Sequence, residues 1–139
     1  IIPCWNVKMY HYFGGTARVK VDGGNKYVSS YFRRYMNERN IIRNILKNYS
    51  LPFLAPALLI LGFFHFLEII LFLLLGKFMV VKCYLAAYKW NLLKLESSLA
   101  MRKVVQRNRI VSDVKIISRM YFTYSKLETF KRLGVPKFR

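Results

Sequence analysis

Acidic residues are scarce in this chain: six Asp and Glu stand against twenty-four Lys and Arg, for a formal net charge of +18. The six are scattered, so no paired carboxylates for general acid–base work are encoded locally. Cysteine is almost absent. Cys4 and Cys83 lie on opposite sides of a long apolar run, and no CxxC or Cys/His ligand spacing occurs. That excludes a structural zinc site. With Cys83 near or inside lipid, a disulfide is not expected either, which fits a cytoplasm-facing protein. There are two histidines, His11 and His65, and no internal repeat or low-complexity tract. An initiator Met is missing too. Ile1-Ile2-Pro3 reads like the middle of a strand-and-loop region, and the first fifty residues are few for an independent core. The expectation is a fragment of something larger.

What the chain has in excess is apolar length. From Leu51 to Gly76 the only ionisable side chains are His65 and Glu68. A helix over that stretch runs roughly 39 Å, more than a bilayer's hydrocarbon core. The run is too long and too internal for a secretory signal. Nine of the basic residues precede it, fifteen follow from Lys77 onward, and none falls within it. Tyr49, Tyr84, Tyr88 and Trp90 fall where an interfacial aromatic belt is expected. Basic, aromatic and apolar features together favour a membrane surface with anionic headgroups over nucleic acid as the partner of the charge.

Asn6 to Tyr12 alternates and reads as a strand. Phe13-Gly14-Gly15-Thr16 breaks it, Asp22-Gly23-Gly24-Asn25 is a second turn signal, and Ala17 to Val21 is a short strand or an ordered loop. From Lys26 to Asn48 the period is helical, with Val28, Tyr31, Phe32, Tyr35, Ile42 and Ile45 on the apolar stripe. This predicts a basic amphipathic helix lying in the interface. Pro52 ends it and suits the start of the next helix. Membrane helices are expected at about 52–75 and 78–95, separated by Gly76-Lys77, with Lys82 and Lys89 on one face of the second. Basic flanks at both ends of the run favour a hairpin over a single span, which would keep the N- and C-terminal parts on the cytoplasmic side. Ser97 to Arg109 is helix-like, and Ser112-Asp113 opens a last helix with Ile117, Met120, Tyr121, Tyr124 and Leu127 as its stripe.

Four parts follow: residues 1–25, 26–50 (the amphipathic helix), 51–95 (the membrane region) and 96–139 (a basic helical tail). The fold class is mostly α, with a short β/loop segment at the N-terminus.

Two sites stand out. His11 ends a strand directly before a glycine-rich loop, a place suited to a metal held by a diphosphate and equally to a plain backbone-bonded histidine. His65 and Glu68, three apart on one helix face within the apolar run, are either a satisfied pair meeting the second helix near Lys82 or a proton relay. Glu38 can pair with Arg34 at i−4.

Tyr10-His11-Tyr12-Phe13-Gly14-Gly15-Thr16, then Tyr35-Met36-Asn37-Glu38-Arg39-Asn40, then a basic helix and an apolar segment, resembles the C-terminal part of bacterial and archaeal family 2 glycosyltransferases. Met101-Arg102, Gln106-Arg107 and Ser112-Asp113 resemble that family's tail. The resemblance covers nearly the whole chain through short motifs whose order and spacing carry it. It implies that residues 1–25 are the edge of a GT-A nucleotide-sugar domain. It further implies that His11 is a ligand of a divalent cation (Mg or Mn), and that Gly14, Gly15, Thr16 and Arg39 approach the donor diphosphate. The substrates would be a nucleotide-sugar and a lipid-linked, polyprenyl-linked or cell-envelope glycan, at the plasma membrane. The sequence departs from the family pattern in having no Asp-x-Asp motif. No catalytic residue is therefore expected in this chain, and alone it should be inactive. The alternative is a small non-enzymatic basic membrane protein that binds anionic lipid or a partner protein.

Overall fold

The computed structural model describes residues 18–21, 24–120 and 125–138. They are mostly helical, with one small sheet. The expected strand at Asn6 to Tyr12 lies outside the described residues.

β1 (Arg18–Val21) and β2 (Gly24–Ser29) pair antiparallel, with Val21 opposite Gly24. Residues 26–29 thus belong to a strand and not to the helix that their periodicity predicts. Tyr27 and Val28 are β-formers, and the helix begins only where Ser30 caps it, its hydroxyl accepting from the Arg33 N–H at 3.1 Å. α1 runs Tyr31–Asn48. α2 follows at Leu51–Leu74, opened by Ser50 with Pro52 in its first turn, where a missing N–H costs nothing. Among the described residues α2 is the one helix long and apolar enough to cross a membrane. Gly76 ends it with φ +66°, a conformation that suits glycine, and α3 (Phe78–Leu93) turns back. After a break at Lys94 comes α4 (Leu95–Arg107).

The single last helix expected from Ser112 is two helices. α5 spans Asp113–Ile117 only, and α6 spans Ser125–Leu133. α5 carries three β-branched residues in five positions, and the Ser118 hydroxyl donates back to the Lys115 carbonyl, a bond that competes with helix continuation. Gly134, φ +72°, closes α6 by donating to the Phe130 carbonyl at 2.8 Å. β3 (Lys137–Phe138) then joins β2 in parallel, so the tail returns to the N-terminal hairpin.

Three helices set the core. α1 and α3 run parallel: the Cys83 thiol meets the Tyr31 carbonyl, and eight residues further along each helix Asn91 donates to the Arg39 carbonyl at 3.1 Å. α2 runs antiparallel to both, with Glu68 near Arg34 and Tyr84, and His65 near Glu38 and Tyr88. The apolar part of the core is small, formed by Phe72, Val80, Val81 and Tyr84 with Phe138 against them.

α2 reverses the usual polarity. His65, Glu68 and Phe72 are its buried residues, while Leu51, Leu59, Phe63, Phe66, Ile70 and Leu74 are exposed, Leu74 by 82%. α1 also departs from the expected stripe. Arg34, Glu38 and Ile42 are buried, and Phe32 is 70% exposed.

Candidate functional site

Helical spacing brings the ionisable pairs together. Arg34 and Glu38 share a face of α1 at i, i+4; His65 and Glu68 share a face of α2 at i, i+3; Tyr84 and Tyr88 share a face of α3 at i, i+4. Where the three faces meet, α6 adds Lys126. Arg34 Nη2 donates to Glu68 Oε2 at 2.9 Å, and Arg34 Nε lies 3.0 Å from Glu38 Oε1. Lys126 Nζ bridges the two carboxylates, at 2.9 Å from Glu38 Oε2 and 3.0 Å from Glu68 Oε2. The Tyr84 hydroxyl donates to Glu68 Oε2, and the Arg34 guanidinium lies over the Tyr84 ring, 4.8 Å from its centroid. His65 sits between Glu38 and Tyr88: Nε2 is 2.8 Å from Glu38 Oε2 and Nδ1 is 2.9 Å from the Tyr88 hydroxyl. The Nδ1 and Tyr88 hydroxyl can share one proton, the donor being set by the tautomer of the ring.

The ligand atoms of Glu38, His65 and Glu68 all lie within 4.8 Å of one another, a donor set that could hold a divalent ion. Charge balance assigns that place differently. Two cations, Arg34 and Lys126, already match two carboxylates, and the Lys126 ammonium occupies the bridging position. A divalent ion added there would leave uncompensated positive charge in a buried site. The cluster is an ion-paired network. Burial pushes the Glu38 carboxyl up, but the hydrogen bond from His65 and the charges of Arg34 and Lys126 outweigh it and hold Glu38 at about 2.

Lys82, expected to meet His65 and Glu68, is exposed. The cations that serve Glu68 are Arg34 and Lys126. Nothing local in the sequence marks Lys126; the only signal is that Glu68 requires a partner from somewhere. Tyr84, expected in an interfacial belt, is fully buried, and its hydroxyl is used by Glu68.

A second polar knot holds the far end of the bundle. Asp113 accepts from the Ser50 N–H at 2.8 Å and from the Ser50 hydroxyl, and Arg109 donates to both Asp113 oxygens. The hydrogen bond from Arg109 is the main reason the Asp113 carboxyl is held at about 2. Beside it, Arg102 Nη1 donates to the carbonyls of Leu46 and Tyr49 at 2.7 and 2.6 Å, and Gln106 Nε2 to those of Lys47 and Asn48. These are the unpaired carbonyls that every helix C-terminus presents. Ser112 caps α5 as its sequence predicts, accepting from the Lys115 N–H.

Arg39 donates from Nε and Nη2 to the Asn40 side-chain oxygen, with its guanidinium over Trp90 at 4.6 Å and Tyr35 at 5.7 Å from the ring centroids. His11, Gly14, Gly15 and Thr16 lie outside the described residues, so Arg39 is the one member of the expected diphosphate site whose surroundings are visible. No protein-family model, no curated protein and no solved structure matches this chain.

Proposed function

We propose that this chain is the membrane-anchoring part of a glycosyltransferase that moves a sugar from a nucleotide-sugar donor to a lipid-linked or cell-envelope glycan. The observation that carries the anchoring half of this reading is the reversed polarity of α2. Its charged and polar side chains, His65 and Glu68, are buried, and its Leu, Ile and Phe side chains face outward. In water that arrangement is unfavourable twice, because it leaves a large apolar face hydrated and desolvates charge. Against lipid the apolar face is matched. Exposed Lys82 and Lys89 on α3, with a chain charge of +18, suit anionic headgroups at the plasma membrane.

The transferase half rests on the ordered motifs around His11, Gly14-Gly15-Thr16 and Arg39-Asn40. In that reading His11 would be a ligand of a divalent cation, Mg or Mn, which would supply charge neutralisation to the donor diphosphate. This chain's own contribution would be the link to the membrane, since the β1–β2 hairpin leads directly into α1.

A second reading, a non-enzymatic basic membrane protein, is favoured by one observation. Glu38, Glu68 and Asp113 each hold at least one cation, so none of them stands ready as a general base. The coding region upstream of Ile1 separates the two. A GT-A domain with an Asp-x-Asp motif in frame supports the transferase; its absence there supports the second reading. Flotation of the purified chain with anionic vesicles tests the anchoring that both share.

A further inference from the structure

We infer that α2 does not cross the bilayer but lies along its surface, sunk into one leaflet, with α1 on its water side. This rests on the membrane reading above and specifies the geometry of that contact.

The argument is one of levels. α1 and α2 are antiparallel, and their contacts pair Glu38 with His65 and Arg34 with Glu68. His65 and Glu68 lie just past the midpoint of α2, so the middle of α1 stands level with the middle of α2. If α2 followed the bilayer normal, the outer side of α1 would sit at the depth of the hydrocarbon core. That side is polar: Asn37, Asn40, Asn44 and Asn48 recur at three- and four-residue steps and are all exposed. Phe32 in the first turn is the one large apolar side chain exposed on α1. Four exposed amides at bilayer depth would have no water to bond, which lipid-exposed polar groups do not tolerate.

Laid flat, the same helices face the right media. The outer side of α2 carries no ionisable residue along its whole length, from Leu51 to Leu74. A helix is about 10 Å across with its side chains, which matches the ~5–10 Å burial of an interfacial helix. On neighbouring α3, exposed Leu85 and Leu92 continue the apolar surface, while Lys82 and Lys89 can extend their ammonium groups back to the headgroups. The buried ion network then sits between the lipid-facing helix and the water-facing one, and needs no role in conduction.

The test uses the whole chain on phosphatidylcholine–phosphatidylglycerol vesicles. In a background with Cys4→Ser and Cys83→Ala (or Cys83→Ser), single nitroxide labels are placed at Leu59→Cys, Phe66→Cys and Leu74→Cys on α2 and at Asn40→Cys on α1. Collision with oxygen and with a water-soluble nickel chelate reports depth. The flat arrangement gives one common shallow depth for the three α2 labels and full chelate access at residue 40. A depth that is greatest at residue 66 and falls towards residue 74, with residue 40 shielded, means that α2 crosses and overturns this inference alone. Failure of the chain to float with vesicles, with the α2 labels instead in spin–spin contact across a dimer, means that a second copy covers this face and overturns the membrane reading as well.

Discussion

Lys126 is eighty-eight residues beyond Glu38 in sequence, yet its Nζ lies 2.9 Å from Glu38 Oε2. The same ammonium reaches Glu68, so one side chain on α6 ties together α1 and α2. The tie closes a charge count of two cations and two carboxylates, and with Lys126 removed the buried set is left with an uncompensated carboxylate.

Lys126→Met should therefore destabilise the fold by about 3–5 kcal/mol, the usual cost of breaking a buried pair from one side. Adding Glu68→Gln to it should recover much of the loss, because Arg34 and Glu38 then balance. Denaturant titration in detergent of the two single variants and the double variant measures the coupling. Additive losses would mean that Lys126 does not act through Glu68.

Glu38 sets an acid limit. Its ordinary value is 4.5 and the folded protein holds it at about 2. A depressed carboxyl contributes stability that is complete above the unfolded value and is lost as pH falls towards the folded one. That contribution is about 3 kcal/mol and should disappear between pH 4.5 and 2. Asp113, lowered to about 2 by Arg109, acts in the same direction. Glu38→Gln should lower stability at pH 7 and flatten its decline over that acid range, as measured by denaturant midpoints at stepped pH.

The C-terminal end of α1 depends on α4. Arg102→Ala removes a charged donor from the Leu46 and Tyr49 carbonyls and should cost about 1.5–3 kcal/mol. Gln106→Ala should cost less, about 1 kcal/mol, since its bonds are neutral and partly exposed. Amide exchange at Asn48 and Tyr49 should speed up in both.

Elements with local causes were legible in the sequence. Pro52 and Gly76 bracket α2 because each forces its backbone geometry locally, and Ser112 caps α5 for the same reason. The hydropathy of Leu51 to Gly76 signalled α2 itself. Relationships set by tertiary pairing were not legible. Residues 26–29 keep a helical rhythm but pair within the sheet, Lys26 and Tyr27 with β1 and Val28 and Ser29 with β3, since strand pairing outweighs a weak periodicity. Lys126 and Lys82 look alike in sequence, and only the return of α6 to the middle of the bundle selects Lys126. Tyr84 looked interfacial because an aromatic with a hydroxyl suits a headgroup as well as it suits a buried carboxylate.

Arg39 separates stacking from substrate contact. Its guanidinium lies over Trp90 and Tyr35, so Arg39→Ala should cost about 0.5–1 kcal/mol of stability whatever the function. In the proposed parent enzyme, a contact to the donor diphosphate would add a rise in donor KM. His11→Ala there should lower turnover about 10²-fold or more, with partial rescue by excess Mn²⁺ if it ligates the cation. Steady-state kinetics of Arg39→Ala and Arg39→Lys at several Mn²⁺ concentrations distinguish the roles. An unchanged KM in both Arg39 variants would confine that residue to packing.

Membrane binding should be governed by the apolar face of α2 and not by the charge. Phe63, Phe66 and Ile70 are exposed on that face, so replacing all three with Ser leaves the buried ion pairs in place and should leave the fold intact. Each side chain withdrawn from lipid forfeits about 1.5–3 kcal/mol, so the triple variant should partition into vesicles at least ~10³-fold less. Lys82→Gln with Lys89→Gln should forfeit only about 1 kcal/mol per charge, and that part should vanish in high salt. Wild-type chain should accordingly remain on anionic vesicles through a high-salt wash. Flotation of the wild type, the triple serine variant and the double glutamine variant, each in low and high salt, ranks the two contributions directly. Release of the wild type by salt alone would place charge first and leave the outward Leu, Ile and Phe side chains of α2 without their lipid.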